Sequence, residues 1–107
     1  MFVWVRLDSK PALSFYSVPD ALPYLSGLSY RRLINIGDIH RPLKGENSNM
    51  DVTLDNADGL LTQFFLDPPI RVKVSVEGYY DSQVVSIFNG VVTSIDFGPE
   101  ITLSLEF

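Results

Sequence analysis

The chain has no cysteine among its 107 residues. That removes disulfide bridges, thiolate metal sites and thiol nucleophiles together, and it fits synthesis in a reducing compartment. Histidine occurs once, at His40. Asp38 and His40 are two apart and share a face on a strand, but a metal site or catalytic triad would need carboxylates from elsewhere; an exposed histidine at a strand end is the expectation. Basic residues are scarce, eight against thirteen acidic ones, for a net charge of −5. Nucleic-acid binders need a basic surface to displace counterions, so no nucleic-acid partner is expected. Long apolar runs are missing too. "MFVWVRLDSK" holds an apolar stretch of four residues with no basic region before it, so neither a signal peptide nor a membrane segment is expected. The chain contains no phosphate loop, dinucleotide fingerprint or nucleophile elbow. No carboxylate pair sits where its pKa values would be driven apart. No catalytic, cofactor-binding or metal-ligating residue is assigned, and no enzyme is expected.

What is present is alternation. Hydrophobic residues make up 46% and charged residues 20%, enough for one domain spanning 1–107 with a single core. In "IRVKVSVE", Ile70, Val72, Val74 and Val76 alternate with Arg71, Lys73, Ser75 and Glu77, the period of a half-buried strand. "ITLSLEF" repeats this with Ile101, Leu103, Leu105 and Phe107 facing in, and "MDVTLD" does so with Met50, Val52 and Leu54. Val3, Val5 and Leu7 alternate with Trp4 and Arg6. "ALSFYSV" reads as the return strand after a turn at Ser9, Lys10 and Pro11, and "YRRLINIGDI" as a strand broken or bent at Gly37. Loops are expected over Pro19–Ser29 and Arg41–Asn49.

"DVTLDNADGLLTQFF" demands a decision about metal. With Gly59 at position 6 of an EF-hand loop, Asn56 and Asp58 fall at ligand positions, but Leu54 and Phe65 occupy the first and last and supply no oxygen. The stretch reads instead as a strand end and a turn, in which Asp and Asn satisfy freed N–H groups and Gly takes positive φ. Leu60, Leu61, Phe64 and Phe65 then share one side of a short helix, capped by Asp55 or Asn56 and stopped at Pro68-Pro69. A calcium-dependent domain survives only if the Asp51 to Asp58 carboxylates converge.

"VVSIFNGVVTSIDF" admits two readings. Asn89-Gly90 is a strong hairpin signal. A glycine within one long strand also permits a sharp bend. The bent strand is preferred, because turn residues already flank it at Glu77–Ser82 and at Gly98-Pro99. Many short strands, frequent turns and one short helix give a mainly β fold: a small antiparallel β-barrel, or a half-open barrel or sandwich, with the helix over one end.

Several side chains fall where a core cannot use them. Tyr79-Tyr80 sit near a hairpin tip, where adjacent strand residues cannot both face inward. Trp4 lies opposite Val3, Val5 and Leu7: either its ring shields the strand at the surface, or Trp4 faces in and the valines out. Trp4, Tyr79, Tyr80 and the Arg31-Arg32 pair are the candidate interface residues.

"NMDVTLDNADGLLTQFF", "PPIRVKVSV", "VSIFNGVVTSIDF" and "ITLSLEF" together resemble the barrel domain of tailed-phage baseplate hub and tail-tip proteins. The resemblance covers roughly residues 30–107, with its weight on the asparagine–aspartate turn and the Phe88-x-Gly90 phrase. It implies a prophage or phage structural protein without cofactors, synthesised in the bacterial cytoplasm and placed in the virion tail, with other tail proteins as partners. It also implies a homo-oligomer, a trimer by analogy, and puts "FNG" in mid-strand. Hubs of that family are usually much longer, so a short prophage relative, a domain of a longer protein and a remnant gene all fit. The reading from another class is a small carbohydrate-binding or OB-like module whose aromatic rings stack on sugars or bases.

Overall fold

A computed structural model describes residues 2–25, 27–39, 48–65 and 70–107. Its strands are β1 (Phe2–Leu7), β2 (Leu13–Tyr16), β3 (Leu28–Tyr30), β4 (Leu33–Ile36), β5 (Asn49–Asp55), β6 (Lys73–Tyr80), β7 (Gln83–Asp96) and β8 (Glu100–Glu106). Two short 3₁₀ helices accompany them, η1 (Pro19–Tyr24) and η2 (Leu60–Phe64). All eight strands form one sheet in the order β3-β2-β1-β6-β7-β8-β5-β4. Every neighbouring pair is antiparallel except β2 and β3.

The edges of this sheet reveal its shape. β3 and β4 stand at opposite ends of the strand order, yet only Arg31 and Arg32 separate them in the chain. A flat sheet would hold its edges apart by seven strand spacings, roughly 34 Å. The step from Tyr30 to Leu33 can span at most about 11 Å. The sheet must therefore curl until its edges meet. Following the pairing directions round the sheet shows that β3 and β4 also point the same way. Leu28–Ile36 acts as one closing strand, its first half paired with β2 and its second half with β5. The result is a half-open barrel whose seam is crossed by the chain.

Alternation puts the core inside. Val5 and Leu7, Leu13 and Phe15, Met50, Val52 and Leu54, Val74 and Val76, and Ile101, Leu103 and Leu105 form one buried cluster. η2 plugs the seam: Leu61 and Phe65 are buried, Phe65 meets the Phe15 ring of β2 at 6.4 Å, and Phe64 meets Tyr30 at the end of β3 at 5.2 Å.

The long reading of β7 holds, with Asn89-Gly90 in its middle and a tight turn at Asp81 and Ser82, both at positive φ. Several expectations need correction. Pro19–Ser29 is not simply a loop, because η1 and the start of β3 lie within it. Ile70 precedes β6 and is exposed, so the inward row begins at Val72, which is half-buried, and is fully buried from Val74. Phe107 follows the last β8 residue and is 74% exposed, because the ladder that orients its neighbours has ended. In "YRRLINIGDI" β4 ends just before Gly37, as expected, and a second, unexpected break falls at Arg31-Arg32. His40, most of the Arg41–Asn49 loop and the Pro68-Pro69 stop lie outside the described residues. Among the described residues no helix is long and apolar enough to cross a membrane.

Candidate interaction surface

Two constellations absorb the candidate residues. The first is aromatic and lies on the outer face of β1 and β6. Phe2 and Trp4 are two apart on β1 and so share that face; Tyr79 stands opposite Phe2 on β6, and Glu77 opposite Trp4. η1 crosses above them and lowers Tyr24 onto Trp4, rings 5.2 Å apart and 8° from parallel. Phe2 and Tyr24 each stack on Tyr79 at 5.4 Å. Partial burial raises the Tyr24 phenol pKa, and the adjacent Tyr79 hydroxyl adds to the shift.

Trp4 is thereby 0% exposed although it faces away from the main core. This outcome is neither of the two read from the sequence: Val5 and Leu7 face the barrel interior, and Trp4 is buried in a small second core on the other side. Its indole Nε1 donates to Glu77 Oε1 at 3.3 Å, and Arg6 Nε makes an ionic contact with the same oxygen at 2.8 Å. A buried indole needs such an acceptor. Trp4 consequently offers no ring surface to a partner. Tyr79 is half-buried, and Tyr80 at the hairpin tip is 61% exposed. Among tyrosines and tryptophan, Tyr80 alone is mostly exposed. Tyr24 was missed in the sequence; the proline at the start of "PDALPY" was the available sign of a helical turn.

The second constellation is the seam. Arg31 Nε donates to the Ser17 carbonyl, just past β2, at 2.8 Å. Arg32 turns the other way. Its carbonyl accepts from Asp55 N–H of β5 at 2.7 Å, and its guanidinium grips Asp58 with two bonds of 2.9 and 2.8 Å. The neighbouring arginines thus fasten opposite edges of the barrel, and the pair works as a clasp. Asp58 also accepts from Leu60 N–H at 3.0 Å. The Arg32 bond first, and that N–H second, hold the Asp58 pKa down to about 2.

Asn56 organises the turn beneath the clasp. It is nearly fully buried. Its Oδ1 accepts from Leu61 N–H at 2.9 Å, and its Nδ2 donates to Thr62 Oγ1 and the Gly98 carbonyl at 2.9 and 3.1 Å. Asp55 Oδ1 accepts from Ala57 N–H, and Gly59 takes φ of 73°. These are the turn duties expected of "DNADG", but the N-cap of η2 is Gly59, with no side-chain cap bond, rather than Asp55 or Asn56. Among the described residues no three acidic or histidine side chains gather as metal ligands would.

No family model matches the sequence, and no curated protein sequence matches it. A solved structure does match the fold. The chain superposes over 98% of its length on a chain from the virion of a native gene transfer agent particle, with a TM-score of 0.69 and 14% identity. It spans 38% of that longer chain, and the likeness is one of fold.

Proposed function

We propose that this protein is a non-enzymatic structural component of a phage-like virion, acting in the tail tip or baseplate hub through contacts with other tail proteins. The observation that carries the reading is the fold likeness to a virion chain over nearly the whole of this sequence. The resemblance of the "TLDNADG" and "FNG" phrases to hub barrels supports the finer placement. The turn and arginine side chains singled out in the sequence have structural duties: Asp55, Asn56 and Asp58 build a turn, and Arg31 and Arg32 clasp the seam.

The carbohydrate-binding or OB-like alternative needs ring faces free to stack on a ligand. Here Phe2, Trp4, Tyr24 and Tyr79 stack on one another. That arrangement counts against a ring-stacking site on this face. Particles purified from the producing strain test the proposal by immunogold labelling of this chain. Label at the tail tip is the expected result; label elsewhere on the particle overturns the tip placement, and absence from particles overturns the virion role.

A further inference from the structure

The turn between β6 and β7 is built against backbone preference. Asp81 and Ser82 lie between the paired residues Tyr80 and Gln83, at φ of 51° and 61°. A two-residue hairpin loop with both central residues at positive φ is the turn for which Asn-Gly is favoured. The chain does hold an Asn-Gly pair, but at 89–90, in the middle of β7. Aspartate tolerates the left-handed region, whereas serine enters it only at a cost that glycine would remove. Strain of this kind clusters where side chains meet ligands or partners.

The three side chains at this tip face solvent together. Tyr80 is 61% exposed, and Asp81 and Ser82 are exposed beside it. Tyr80 continues the row of Val74, Val76 and Gly78, all buried, yet stands at the strand end, clear of the core. Tyr24 and Tyr79 are committed to the stack around Trp4, so Tyr80 is the tyrosine presented outward. Exposed tyrosines are frequent anchors of protein interfaces. The tip thus offers the face of a phenol ring, a carboxylate and a hydroxyl within three residues. That set matches a guanidinium, which stacks on aromatic faces and donates to oxygen acceptors in its own plane. The net charge of −5 likewise draws cationic partner surfaces.

We infer that the Tyr80–Ser82 tip docks on an arginine of a neighbouring tail protein, with Tyr80 stacked on the guanidinium and Asp81 and Ser82 accepting its hydrogen bonds. The inference rests on the assembly role proposed above and names one surface and the partner chemistry that it takes. It concerns a contact with a different chain and leaves the number of copies of this one free.

Particles from the producing strain, assembled with variants co-expressed beside the wild type, provide the test. Asp81→Asn, Ser82→Gly installs the favoured turn and is expected to raise Tm by about 4 °C or more. The same variant is expected to enter particles about tenfold less than the wild type. A chain that is more stable yet assembles worse separates contact from folding. Tyr80→Thr keeps strand propensity, should hold Tm within about 3 °C, and should show the same exclusion. A photo-crosslinking phenylalanine derivative at position 80 should bond to a different tail protein beside an arginine. Wild-type incorporation of either variant, no rise in Tm for the double variant, or a crosslink to a second copy or to a segment without arginine would overturn the inference. Each of those outcomes leaves the virion reading intact. Absence of the wild-type chain from particles would overturn both.

Discussion

Arg32 and Asp58 face each other across the seam of the barrel in a two-pronged pair, Nη1 to Oδ1 at 2.9 Å and Nη2 to Oδ2 at 2.8 Å. Arg32 is the last residue before β4, and Asp58 belongs to the turn between β5 and η2. The pair fixes where the closing strand crosses from one edge to the other. Asp58 is well exposed, so solvent screens the charges and the bond orients more than it stabilises.

That geometry sets a pH dependence. Asp58 titrates near 3.8 when unfolded and at about 2 when folded. A depressed carboxylate adds stability above its unfolded value and loses that stability as pH falls through its folded value. Urea melts of wild type and Asp58→Asn should therefore differ at pH 6, draw together as pH falls from about 4 and converge only below about pH 2. Asparagine still accepts from Leu60 N–H, so the difference reports the Arg32 pair. A gap unchanged at low pH would contradict this.

Asn56 joins three segments from a buried position, and its truncation strands their polar groups. Asn56→Ala should cost about 2–4 kcal/mol in urea unfolding. Asn56→Asp keeps the acceptor for Leu61 N–H but brings a carboxylate against the Gly98 carbonyl, and should be at least as damaging near neutral pH.

Two glycines should respond differently to alanine. At Gly90 the new Cβ meets the backbone of Glu106, and β8 has to shift; a loss of about 1–3 kcal/mol is expected. At Gly59 nothing lies within 4 Å, and the cost of about 1–2 kcal/mol comes from positive φ alone. The β7–β8 amides should lose exchange protection in Gly90→Ala and keep it in Gly59→Ala.

Trp4 is the only tryptophan, so it reports the outer aromatic core directly. Its emission should be blue-shifted in the native protein. Tyr24→Ala removes the ring stacked upon it and should shift emission to the red, with a loss of about 1–3 kcal/mol from burial and stacking together. Native emission already typical of solvated indole would contradict the burial of Trp4.

The legible part of the fold was whatever period two could encode. Val74 and Val76, Met50, Val52 and Leu54, and Ile101, Leu103 and Leu105 all face the core as their alternation required. The turn chemistry of Asn56 and Gly59 was equally readable, because an Asx side chain meets backbone groups only a few residues away. Phe107 and Ile70 broke the pattern because alternation has no meaning outside a ladder.

The sequence by itself determined the mainly β class and the Asn56–Gly59 turn, since each follows from bonds and side-chain directions within a few residues. It admitted both a hairpin and a long strand at Asn89-Gly90, and pairing with β6 and β8 decided for the long β7. Tertiary structure alone decided the fate of Trp4, which depended on η1 arriving from twenty residues away with Tyr24. It also turned Arg31 and Arg32 from a surface pair into a clasp, because their partners Ser17 and Asp58 lie on opposite edges of the curled sheet.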